Sequence, residues 1–345
     1  MNTKNLVFIL FFIILIIFSC DSNNSVEPEA EEITPIYVTV AGHIESGSYY
    51  AEPNIYAEYR EKLLDFIAIL QNYDIPFNLQ IAYPFLKGAK DCETSDMMEE
   101  TENTNLVDYL AKYCNVEIDA HKGGGWEGEG DDNYADVRYI GGLVTDEITE
   151  TVGGVIWNSQ DQYERFDNGE AGELYPFFIW YPEILTLGVH FDHHNSDFSN
   201  DDLTSGIWKP KGFDDEFLIH DEDASMVYVG PGMSCTDWFD NQYGDYPPME
   251  TSANYIELLA EYLTNDKIPA DKMYTVTMSV PQSIIFFEDE HYKLTDQFDA
   301  IAQLVEQGKV IYTTYTEVVD IWQNQYNSEP NIFTFDNIDP EDYQK

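Results

Sequence analysis

The sequence predicts an α/β fold, a (β/α) barrel of seven to eight strands that is distorted or incomplete. Three observations predict it. β-branched runs alternate with apolar stretches of helical spacing between Ile36 and Tyr326, and such alternation implies a parallel sheet with helices outside it. About seven such units over roughly 290 residues suit a barrel, with an open doubly wound sheet as the alternative. Two strand ends also carry histidine beside carboxylate, where a barrel presents its chemistry.

The elements follow in order. Ile36–Ala41 (IYVTVA) is a buried strand, and Ile55–Gln71 places Leu63, Leu64, Ile67 and Leu70 on one helical face. Phe77–Ile81 is a strand, Leu106–Tyr113 a helix and Val116–Ala120 a strand. Asn133–Leu143 and Glu147–Val152 read as helical, and Gly154–Trp157 as strand-like. In the Gly- and Asp-rich middle, Ile207–Trp208 and Met226–Val229 are short strands. Ser252–Leu263 is a helix, Tyr274–Val280 a strand and Leu294–Glu306 a helix stopped by Gly308. Val310–Thr314 is the last strand and Thr316–Tyr326 the last helix.

The amino terminus reads as an address. Leu6–Phe18 is an apolar run of 13 residues, too short to span a membrane. Ile17-Phe18-Ser19-Cys20 resembles the lipobox of bacterial lipoproteins, which implies cleavage before Cys20 and lipidation of its thiol. Residues 1–19 are then a signal peptide, 20–34 an acidic tether, 35–327 the barrel and 328–345 a tail. The expected location is the cell envelope, at the outer membrane or cell surface, with the membrane met only through the lipid. In that oxidising setting Cys92 and Cys114 can close a disulfide loop, leaving Cys235 over.

Charge excludes partners. With 65 Asp+Glu against 16 Lys+Arg the formal net charge is −49, so nucleic acid and polyanionic substrates are repelled. Neutral or cationic ligands remain, carbohydrate among them.

Five of the seven histidines fall in three sites with carboxylates close by: His43 with Glu45, His121 with Asp119, and the run His190-Phe191-Asp192-His193-His194. Imidazole with carboxylate suits zinc or a similar divalent metal, which makes hydroxide available near neutrality. His43, His121, His193 and His194 are the candidate metal ligands, and Asp119 or Glu45 the candidate general base. Gly123–Gly125 lacks the Lys-Ser/Thr of a phosphate loop and suits close backbone approach to a ligand. Trp126 and Trp208 are candidates to stack on sugar rings. Glu127 is a candidate substrate contact and, with Glu45 or Asp119, a candidate glycosidase carboxylate. A glycan-binding protein without catalysis is the third reading.

Val116-Glu117-Ile118-Asp119-Ala120-His121 resembles the strand and turn before the first metal histidine of NodB-like polysaccharide deacetylases. Gly206-Ile207-Trp208-Lys209-Pro210 is similar to that family's Arg-x-Pro loop, with Lys209 in the arginine's place. Gly308–Trp322 resembles its closing strand and helix. The resemblance implies a deformed, deacetylase-like (β/α) barrel and metal-assisted hydrolysis of an N- or O-acetyl group on a glycan. The departures are specific. The family's first-strand Asp-Asp is replaced by His43-Ile44-Glu45, and Gly125 stands where its His-x-x-x-His motif has the second histidine. Lys209 would contact substrate in this frame.

Overall fold

The computed structural model describes residues 34–45, 47–122, 133–156, 158–188, 204–233, 251–339 and 342. The expected α/β barrel is present. One sheet runs in the order β10–β1–β2–β3–β4–β7–β9–β8, from β1 (Ile36–Ile44), β2 (Phe77–Ile81), β3 (Val116–His121), β4 (Ile148–Gly153), β7 (Ile184–Thr186), β8 (Thr204–Trp208), β9 (Val227–Gly232) and β10 (Tyr274–Val280). A short β11 (Val310–Tyr312) joins the lower half of β1. β5 (Glu170–Ala171) and β6 (Ile179–Trp180) form a separate hairpin. All pairs of the main sheet are parallel except β8 with β9.

Helices cover the outside. α1 (Pro53–Asn72) buries Leu63, Phe66, Ile67 and Leu70 at helical spacing. It is followed by α2 (Tyr83–Cys92), α3 (Ser95–Glu99) and α4 (Leu106–Tyr113), and after β3 by α5 (Tyr134–Gly141) and α6 (Gln160–Asn168). Beyond β9 come α7 (Ser252–Thr264), α8 (Gln282–Phe286), α9 (Tyr292–Glu306) and α10 (Tyr315–Gln325). Gly308, at φ 70°, ends α9 as its sequence implies. Among the described residues no helix is long and apolar enough to cross a membrane.

Two readings are corrected. Glu147–Val152, expected helical, forms β4 from Ile148 to Gly153. Four of its residues are β-branched, and Thr149 and Thr151 alternate toward the polar barrel interior, where a helix could not place both. Of Gly154–Trp157, expected strand-like, residues 154–156 lie past the end of that strand, where Gly154 takes φ +77°, and Trp157 lies outside the described residues. Cys92 and Cys114 are both free thiols, so the disulfide is not formed; Cys235 lies outside the described residues.

The interior is layered. At the carboxyl-terminal strand ends it is open to the site described below. In the middle sit Thr39, Thr277, Asn78, Gln80, Asp119, Thr151 and Thr186, all buried. At the amino-terminal end α10 presses Tyr315, Val318, Val319 and Trp322 against Tyr37, Ile207, Val227 and Val229, which plugs the barrel. The Thr316 N–H donates to both Glu117 oxygens at 3.2 Å, and a Thr314–Glu317 capping box starts the helix.

Closure between β8/β9 and β10 uses side chains. The Thr275 hydroxyl accepts the Gly206 N–H at 2.9 Å and donates to the Gly230 carbonyl at 2.6 Å. Residues 331–333, read from sequence as tail, complete the seam. The Asn331 N–H donates to Ile207 O, its side-chain amide to Met273 O, and Phe333 pairs with Ser205. Gly206 is required here: a Cβ would stand 2.4 Å from the Asn331 carbonyl oxygen.

Candidate metal centre

Strand alternation brings the site together. Residues 39, 41 and 43 of β1 and 117, 119 and 121 of β3 face the interior. Between them β2 contributes Asn78 and Gln80, with Gln80 in register with His43 on one side and Asp119 on the other. His43 and His121 stack with centroids 4.2 Å apart and planes 26° from parallel. His121 Nε2 lies 4.0 Å from Glu45 Oε1. One donor atom from each of His43, Glu45 and His121 lies within 4.8 Å of the others. Glu45 is exposed, and its backbone is held by Gln282, which accepts the Glu45 N–H at 2.8 Å and donates to the Tyr50 hydroxyl at 2.5 Å.

His121 is buried, and burial pushes its imidazole down to about 3, with His43 adding to the fall and Glu45 opposing it. At neutral pH it is therefore an unprotonated imidazole, the form that binds metal. A backbone hydrogen bond with Gly153 supports the ring, and its Nε2 is the nitrogen on the Glu45 side. Two close imidazoles and a carboxylate fit a divalent ion.

The His121 shift has a consequence for stability. As pH falls from the ordinary imidazole value of 6.5 toward about 3, the unfolded chain takes up a proton that the folded chain refuses. The metal-free protein is thus expected to lose up to about 1.4 kcal/mol per pH unit in that window. Denaturant midpoints at pH 7 and pH 5 check this. His121→Gln should lose less than wild type; equal losses would contradict the assignment.

Beneath the rings Asp119 is wholly buried. Thr149 Oγ1 donates to its Oδ1 at 2.5 Å and Asn78 Nδ2 to its Oδ2 at 3.3 Å. Burial, reinforced by Glu117, holds the Asp119 carboxyl well above the usual range. It belongs to the polar middle layer rather than to the exposed rim.

Other candidates lie elsewhere. Trp208, expected to stack on sugar, is 0% exposed; its indole donates to Phe217 O at 2.8 Å and packs on Phe217 and Tyr228. Lys209 follows it, donating to Glu222 O. Because β8 runs antiparallel, with Trp208 opposite Tyr228 near the start of β9, both sit at the end of the barrel away from the histidines. They are corrected as substrate contacts on that ground. His193, His194, Trp126, Glu127 and Cys20 lie outside the described residues. Sequence reasoning missed Gln80 and Gly153. The available signal was the polar alternation Asn78, Gln80 inside the buried strand FNLQI.

No family model and no curated protein matches the chain. Among solved structures it is similar to a putative polysaccharide deacetylase from Mycobacterium smegmatis, at 12% identity and TM-score 0.48, covering 86% of this chain and 92% of that one. It is similar to a probable polysaccharide deacetylase from Pseudomonas aeruginosa PAO1, at 11% identity and TM-score 0.47, covering 84% and 91%. It is also similar to Puue allantoinase, at 12% identity and TM-score 0.48, covering 84% and 91%.

Proposed function

We propose that the chain is a metal-dependent hydrolase that removes an N- or O-acetyl substituent from a neutral or cationic glycan. The observation that carries the reading is the meeting of His43, Glu45 and His121, from two separate strands, at the carboxyl-terminal end of the barrel. The acetylated-glycan class rests on the resemblance of residues 116–121 and 308–322 to NodB-like deacetylases, and the neutral or cationic character on the net charge of −49.

His43 and His121 would hold the ion. A divalent ion such as zinc, when bound there, supplies Lewis acidity toward a carbonyl oxygen. Glu45, exposed beside the rings, orients the attacking water and accepts its proton. Asp119, held by Thr149 and Asn78, fixes the layer on which the rings rest. Lipidation at Cys20 and an envelope location are part of the same proposal, and His193 or His194 is its candidate for a further ligand.

Acetate release from a panel of acetylated chito- and xylo-oligosaccharides tests it. Release should stop on chelation, return with zinc, and fall by about 100-fold or more in Glu45→Gln. No acetate from any member of the panel by zinc-loaded protein would overturn the reading and favour a binding protein.

A further inference from the structure

Gln80 is wholly buried, and its side-chain amide hydrogen-bonds the Asp119 carboxyl, opposing the rise that burial imposes there. Its position suggests why it is kept. The side chain reaches past Asp119 to the inner face of Gly153, so closely that a Cβ on Gly153 would stand 1.8 Å from Gln80 Oε1 and 2.5 Å from its Nε2. Gly153 is the register partner of His121. Its carbonyl accepts the Tyr134 hydroxyl at 3.0 Å, which anchors the backbone there. φ at Gly153 is not what calls for glycine; the space taken by the amide is.

We propose that Gln80 and Gly153 are a positioning pair for the histidine centre: the missing Cβ admits the Gln80 amide beneath His121, and the amide sets the orientation in which that ring is presented. The inference rests on the metal reading above for its purpose, but not for its geometry. In Gly153→Ala the amide, as the mobile group, is displaced. In Gln80→Ala it is absent. The two changes therefore remove the same thing, and together they should do no more than either alone.

The test is a double-mutant cycle with two readouts. One is Co²⁺ affinity and visible spectrum by titration. The other is the His121 Cε1–Hε1 signal in metal-free protein, assigned with His121→Gln. Each single variant should lose about 10- to 100-fold in Co²⁺ affinity, with an altered cobalt spectrum and a shifted His121 signal, and the double variant should match the singles. Circular dichroism monitors the fold. If Gly153→Ala alone fails to fold, the double variant, whose shortened residue 80 makes room for the Cβ, should fold. An unmoved His121 signal in Gln80→Ala, or losses that multiply in the double variant, would overturn the proposal. Wild type that binds no Co²⁺ would sink the metal reading, and the His121 signal would still decide the positioning pair.

Discussion

Replacing His121 with alanine is expected to lower zinc affinity by at least about 100-fold while leaving the barrel folded. The physical reason is the division of labour at the site. Loss of a supporting group around a metal typically costs 10- to 100-fold, and His121 is a proposed direct ligand, so the loss should sit at or beyond that upper bound. Its contribution to the fold is small by comparison. Burial holds its imidazole near 3, so removing the ring relieves as well as costs. Calorimetric zinc titration with a parallel thermal melt checks this. An unchanged zinc affinity in the alanine variant would remove His121 from the site.

Deleting residues after Asn327 should be the most damaging change to stability. Phe333 and Ile338 are 5% and 3% exposed, and their burial is worth about 1.5–3 kcal/mol each. Asn331 bridges Ile207 and Met273 across the seam between β8 and β10. Trp322 would lose the acceptor for its indole N–H, the Glu329 carbonyl at 2.8 Å. Asp342 receives the Tyr262 hydroxyl at 2.8 Å and Lys267 at 2.9 Å. A loss on the order of 5 kcal/mol follows, which corresponds to roughly 8 °C in melting temperature. A truncated protein that melts with the full chain would show that the seam closes without this segment.

The parts of this fold that were legible in the sequence are those where one local signal decides. Phe77–Ile81, Leu106–Tyr113 and Tyr274–Val280 match their expected bounds, because β-branched content or helical spacing there is unopposed. The residues of β4 were misread because the alternation of Thr149 and Thr151 takes its meaning only from the polar interior they face, although four of the six residues are β-branched. The tail failed because the hydrogen bonds of 331–333 are made with residues 58 to 128 positions away in the chain. The pairing of His43 with Glu45 and His121 was legible, since strand ends in a barrel converge. Trp208 was a site candidate for the stacking capacity of its indole, and Lys209 for the likeness of residues 206–210 to a family loop; neither signal carries the antiparallel direction of β8. Gln80 was invisible because its role depends on an absent atom at Gly153, which only the register between β3 and β4 reveals.

The central claim is that His43 and His121 bind one ion between them. X-ray absorption at the zinc edge, on the purified chain after zinc loading and desalting, tests it most directly. The account expects about one zinc per chain with at least two imidazoles in its scattering, and one imidazole fewer in His43→Ala. Zinc absent from the wild-type protein, or zinc bound without imidazole, would contradict it.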